Sequence, residues 1–311
     1  MKDLTPLIEN LPSDFDFEGQ CGEALGTYAA GYDKSNPPIP SGKDYQATLR
    51  RFPSGQIEVC TVRIEALQRM QQSRYHLAGQ PVRFTTQEQP EPTPEDIEKK
   101  AQESLARSIR RARQQVRWKL KQIQADHMVT LSYRENMQDV ECLKRDWKEF
   151  VRLVHIRYPA WVFVAVREYQ ERGALHLHIG VKGRQDIKYL RRCWYRVLGA
   201  AVDAKGEEAP GNVDVSGPNK RWGGQGGYKW NSDKLAGYMT KYLYKSFEQA
   251  EKSSKRYWHS KKLPGLVEQK IWLAAANYPE AIRETFDLVA VYRPVDTMWS
   301  SSGWGCIWMT G

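Results

Sequence analysis

Two periods alternate along the middle of the chain. His127 to Tyr133 (HMVTLSY) sets Val129, Leu131 and Tyr133 against Thr130 and Ser132, the two-residue alternation of a strand. Val140, Leu143, Trp147, Phe150, Val151 and Val154 then recur at helical spacing and predict an amphipathic helix. Trp161 to Val166 (WVFVAV) is apolar on both faces and reads as a central strand. A turn at Gly173 leads into a strand from Leu175 to Val181. Ile187, Leu190, Trp194, Val197 and Leu198 mark a second amphipathic helix. Asn212 to Ser216 is a short strand, Gly217 to Asn231 a glycine-rich loop, and Ser232 or Asp233 caps a helix that runs to about Phe247. The order β-α-β-β-α-β with a final helix predicts an α+β fold. Its centre is an antiparallel sheet of split βαβ, RRM-like type, with helices on one face.

The flanks carry weaker patterns. Residues 1–92 are rich in proline and glycine, with a plausible strand pair around Thr48 to Phe52 and Gln56 to Ile64. Gln87 to Pro94 (QEQPEPTP) reads as a linker. Thr93-Pro94-Glu95-Asp96 starts a helix, with Thr as N-cap and Pro in the first turn, that runs to about Gln124. The expected divisions are 1–92, a helix over 93–126, a central domain over 127–260 and a C-terminal extension over 261–311. The segment from Trp299 to Met309 (WSSSGWGCIWM) is expected to dock on another part of the protein.

Charge changes this picture most in the first helix. Glu95, Asp96, Glu98 and Glu103 lie early. From Ser104 to Gln124 there are no acids, and Arg107, Arg110, Arg111, Arg113, Arg117, Lys119 and Lys121 are all basic. A macrodipole-matched solvated face explains that polarity. A phosphate-tracking surface built on Arg110, Arg113 and Arg117 explains it as well. The whole chain of 311 residues has 47 Lys+Arg against 37 Asp+Glu, a formal charge of +10, which makes a polyanion the first partner to consider. The glycine-rich loop adds Lys220, Arg221, Trp222, Lys229 and Trp230, groups that suit phosphate neutralisation and base stacking on a single strand. Lys255 to Pro264 (KRYWHSKKLP) is another basic-aromatic run. No apolar run reaches the roughly 18 residues of a membrane helix, and no leader pattern opens the chain, so an intracellular, membrane-free protein is expected. The five cysteines are scattered without a CxxC pair, which supports neither a zinc ribbon nor a disulfide framework.

Candidate chemistry sits in LHLHIGV. Leu175, Leu177, Ile179 and Val181 point one way, and His176, His178 and Gly180 the other. Two imidazoles then stand roughly 6–7 Å apart on one strand face. Glu168, across the hairpin, supplies a carboxylate, with Glu171 and Gln170 as competing third ligands. Two neutral imidazoles and a carboxylate suit Mn²⁺ or Mg²⁺ and leave positions open for phosphate oxygen and water. Glu168 as an edge carboxylate paired with Arg167 or Arg172 is the structural alternative.

Further on, YMTKYLYK places Tyr238 and Tyr242 on one helix face, and Lys241 and Lys245 at the same i, i+4 spacing. Tyr244 lies about 200° around from Tyr242. A phenol attacks poorly at neutral pH unless a cation helps it, and a flanking lysine can lower its pKa or neutralise a phosphate. Aromatic core packing is the alternative.

These segments, in this order, resemble the HUH superfamily of single-strand DNA nucleases, specifically the two-tyrosine rolling-circle replication initiators of phages and plasmids. VTLSYREN (Val129 to Asn136) is similar to the family's first motif, GALHLHIGV to its His-hydrophobic-His motif and YMTKYLYK to its tyrosine motif. The resemblance covers about residues 127–260. It implies an HUH nickase domain with a metal held by His176, His178 and Glu168, and nucleophiles Tyr238 and Tyr242 assisted by Lys241 and Lys245. The implied reaction nicks single-stranded origin DNA, forms a 5′-phosphotyrosine and rejoins strands, in the cytoplasm of a prokaryotic host. No GxxxxGK[ST] occurs, so unwinding would fall to a host helicase, and synthesis to a host polymerase. A two-tyrosine transposase shares the chemistry but typically carries a Cys/His zinc module. A non-catalytic nucleic-acid-binding protein with an RRM-like sheet is the other reading.

Overall fold

The structure is a computed structural model that describes residues 43–64, 93–170, 172–217, 232–248, 256–303 and 305–311. The chain divides into two compact units, residues 1–111 with 266–311, and residues 112–265. Each contains one five-stranded antiparallel sheet, giving a mixed α+β architecture.

The second unit carries the predicted central order. Its strands are β3 (His127–Tyr133), β4 (Phe163–Tyr169), β5 (Leu175–Val181), β6 (Gly211–Ser216) and β7 (Tyr257–His259). They are arranged β6-β3-β5-β4-β7. Helices α2 (Val140–Arg157) and α3 (Ile187–Val197) follow β3 and β5. Asp139 and Asp186 cap them by accepting hydrogen bonds from backbone N–H groups of the first turn. Their apolar stripes bury Trp147, Phe150 and Trp194 against Val129, Leu131, Leu177 and Ile179, as the alternation requires. Tyr133 and Trp194 meet edge to face at 5.1 Å, and Trp194 Nε1 donates to the Ser132 carbonyl at 3.0 Å. The indole is thereby satisfied inside an apolar core.

One expectation changes. Helix α4 (Ser232–Glu248) does not join α2 and α3; it covers the opposite face of the sheet, together with the end of α1 (Pro94–Gln122). The physical reason lies in β4. Phe163 and Ala165 serve the α2/α3 core, while Val164 and Val166 are fully buried on the other side. A strand apolar on both faces needs cover on both.

Helix α1 begins as predicted. The Asp96 backbone N–H donates to Thr93 Oγ1 at 3.2 Å, and the Thr93 N–H donates back to the Asp96 carboxylate at 3.1 Å. The linker read at Gln87 to Pro94 lies almost wholly outside the described residues.

In the first unit β1 (Tyr45–Arg51) and β2 (Ile57–Arg63) form the predicted hairpin. The flanks read separately from the sequence share this sheet, whose order is β8-β1-β2-β10-β9. Strand β8 (Val267–Trp272) pairs with β1, and β10 (Cys306–Thr310) lies between β2 and β9 (Thr297–Ser301). The C-terminal aromatic segment therefore docks on β2. Helix α5 (Tyr278–Ala290) packs Ala281 and Val289 against Leu49, Val59 and Ile307, and Thr285 meets Thr61, hydroxyl to hydroxyl, at 2.8 Å. Cys60, Cys142 and Cys193 are free thiols, whereas Cys306 is disulfide-bonded, which the scattered cysteine spacing did not foretell. Among the described residues no helix is long and apolar enough to cross a membrane.

Candidate active site

Strand β5 presents His176 and His178 to the face covered by α4. Glu168 of β4 stands directly opposite His176, and Ser132 of β3 stands opposite it on the other side. The two imidazole rings are 6.4 Å apart, within the separation expected from the strand pitch. Glu168 reaches diagonally, so that its Oε2 lies 2.6 Å from His178 Nε2. His178 Nδ1 lies 3.2 Å from Thr130 Oγ1. Both nitrogens of this ring are engaged, one donating and one accepting or both donating as its protonation dictates.

His176 differs. Its Nε2 is buried and has no hydrogen-bond partner. Burial first, and then the neighbouring His178, push its pKa from 6.5 down to about 4, against the opposing pull of Glu168. The ring is therefore neutral at pH 7, the form that ligates a cation.

A buried, unpartnered imidazole nitrogen beside a second imidazole and a carboxylate fits the donor chemistry of a divalent cation. The side chains are grouped but not convergent. Among the described residues no three His, Cys, Asp or Glu groups stand as a ready-made metal site. Sharing one ion requires the rings to turn toward it and the His178–Glu168 bond to open. Of the competing ligands, Gln170 accepts from Arg172 Nε at 3.2 Å, and Glu171 lies outside the described residues. Arg172 also donates to the carbonyls of Tyr133 and Arg134, and Arg167 lies on the opposite face of β4 from Glu168.

Helix α4 brings the tyrosines onto this cluster. The Tyr242 ring stacks on His178 at 3.8 Å and 11°, and Tyr238 meets Tyr242 edge on at 4.9 Å and 88°. Tyr238 is 38% exposed and Tyr242 half-buried. Burial, then the hydrogen bond with Tyr238, then the Glu168 charge hold the Tyr242 phenol well above the usual tyrosine range. The expected lysine-lowered phenol is thus replaced by a phenol kept protonated, because burial and a carboxylate dominate while Lys241 stands exposed. The side chains of Tyr244 and Lys245 lie outside the described residues.

Gly180 explains how α4 comes so close. It continues the His176–His178 face of β5. A Cβ there would strike Leu120 of α1 and stand 3.0 Å from Met239 Sδ of α4. The ion pair of buried Lys121 with Asp233, at 2.7 Å, ties the end of α1 to the first turn of α4. Lys121, read from the sequence as part of a basic face, is committed to this contact.

Arg110, Arg113 and Arg117 are each half-buried along α1. Lys220, Arg221, Trp222, Lys229 and Trp230 lie outside the described residues. Thr130 was placed on the histidine face by alternation, but its contact with His178 was not foreseen; the β3–β5 register is the signal that finds it.

Residues 126–247 match a family model for replication-associated proteins, that of the ORF2 and gene 2 protein type. The matched segment spans β3 to α4 and holds the histidines, Glu168 and both tyrosines, and it supports a replication-initiator role. No curated protein and no solved structure gives a significant match to the chain.

Proposed function

We propose that the second unit nicks and rejoins single-stranded DNA to initiate rolling-circle replication, as an HUH-type two-tyrosine enzyme. The observation that carries this reading is the assembly of Tyr242, Tyr238, His178, His176 and Glu168 into one cluster on one sheet face. In the reaction a tyrosine phenolic oxygen attacks the scissile phosphorus in line. The P–O3′ bond breaks as the P–O(Tyr) bond forms, and the phenol's proton ends on the released 3′ hydroxyl. That hydroxyl primes synthesis by a host polymerase, with unwinding by a separate helicase. The second tyrosine is free to attack when the first is occupied, which closes the displaced strand.

His176, His178 and Glu168 are the residues that would hold Mn²⁺ or Mg²⁺. The ion would supply charge neutralisation at the scissile phosphate. Lys241, exposed beside Tyr242, is placed to balance phosphate charge. Thr130 orients His178, and the stacked His178 ring orients Tyr242.

The test is a labelled single-stranded oligonucleotide library with Mn²⁺, resolved on a denaturing protein gel. Wild-type protein is expected to form a covalent adduct. Tyr238→Phe and Tyr242→Phe should each retain some adduct, and the double variant none while still binding DNA. Adduct formation by the double variant overturns the assignment.

A further inference from the structure

A second basic feature lies outside the cluster, at the free edge of the same sheet. Lys188, Arg191, Arg192 and Tyr195 follow one another at i, i+3, i+4 and i+7 on α3, one helix face beside the stripe that buries Leu190 and Trp194. This face lines a cleft of about 640 Å³ bounded by edge strand β6, the end of β3 and the loop before β6. Arg134 and Lys205 complete the basic lining, and Asp203 is its one acid among the described residues.

Two observations separate this cleft from an ordinary solvated helix face. Arg191 is half-buried; its guanidinium donates to the Val213 carbonyl at 3.2 Å, but its Nε is buried without a partner. The other is position. Ser132 and Asn212 also line the cleft, and both lie in the cross-strand row that runs Glu168, His176, Ser132, Asn212 over four adjacent strands. From His176 to β6 is two strand spacings, roughly 10 Å. A strand whose phosphate sits at the histidines reaches the cleft within a few nucleotides.

We propose that this cleft is a binding site for the phosphodiester backbone of single-stranded DNA flanking the cut, with Lys188, Arg191 and Arg192 as its principal cations. The inference rests on the nicking function proposed above and names the surface that holds its substrate. Continuity with the catalytic row favours a polynucleotide over a free nucleotide, which would need no second foothold.

The experiment uses the full chain in EDTA, so that binding is read apart from cleavage. Anisotropy of a labelled single-stranded oligonucleotide is titrated at several salt concentrations for wild type and for Lys188→Glu/Arg192→Glu, two exposed positions. The variant should bind at least tenfold more weakly. Its slope of log K against log salt should flatten by about 1.4, the loss of two phosphate contacts at about 0.7 each. Amides of residues 188–195 and 202–212 should gain hydrogen-exchange protection on binding. Unchanged affinity and slope in a variant with wild-type melting, or protection confined to other segments, overturns the cleft. Competition by mononucleotide equal to that by the oligonucleotide also overturns it. Adduct formation by wild type with no cleft dependence leaves the nicking function standing alone. Cleft-dependent binding with no adduct under any metal removes the nicking reading instead.

Discussion

His178 is gripped at both nitrogens and covered by Tyr242, so its ring angle depends on Thr130 as much as on Glu168. Replacing Thr130 by Val keeps the shape and removes the hydroxyl. Such partners of a metal-binding histidine typically contribute 10–100-fold in affinity or activity. Thr130→Val should therefore weaken Mn²⁺ binding about tenfold by calorimetry, with little change in melting temperature. Cys60 makes a different prediction, remote from the chemistry. Burial pushes its thiol from 9.0 up to about 11. A thiol whose folded pKa is raised contributes stability fully present below pH 9, which is lost as pH rises through 11. Melting temperature should fall between pH 9 and 11, and Cys60→Ala should flatten that fall. At pH 8 a thiol reagent should reach Cys60 only as fast as the unit opens. At this scale the sequence showed which face each site residue occupies, because strand alternation is strict. It did not show that Glu168 would reach diagonally to His178, since that depends on side-chain rotation.

Between elements, the close approach of α1 and α4 to β5 depends on the missing side chain at Gly180. Gly180→Val would drive Leu120 and Met239 outward and lift α4 from the strand. Overpacking of this kind costs about 1–3 kcal/mol. The expected result is a lower melting temperature and loss of adduct, because Tyr242 leaves His178. A Gly180→Val protein with wild-type nicking would show that α4 need not approach so closely. Along α1, replacing Arg110, Arg113 and Arg117 with Ala should flatten the single-strand salt slope by about 2 if all three contact phosphates. An unchanged slope returns the helix to a solvated, dipole-matched role. Elements of the second unit were legible because each is amphipathic within its own window. The cover over the histidine face was implied by the double-sided WVFVAV, yet it was missed when α4 was assigned to the same side as α2 and α3.

Across the whole molecule, the least legible feature was the first sheet. Its strands β2 and β10 pair Val62 with Cys306 and Glu58 with Thr310, partners more than 200 positions apart. No local pattern encodes such a pairing, and Ser-rich β9 barely alternates. The division into units predicts that a fragment of residues 112–265 melts cooperatively on its own. Removing residues 266–311 from the full chain should cost β1 and β2 their partners on both sides while leaving that melt in place, as seen by hydrogen exchange over residues 45–63 and 127–181.

The interrupted first unit also sets an order of events during synthesis. When β1 and β2 leave the ribosome they form only a two-stranded hairpin, which is marginal in water. Their flanking partners emerge roughly 200–240 residues later, about 10–50 s at ordinary translation speeds. Within that interval the second unit has its complete set of strands. The nascent chain therefore carries a finished inner unit while the hairpin ahead of it still exposes two open edges, and that hairpin is the point at which a holding chaperone would engage this protein.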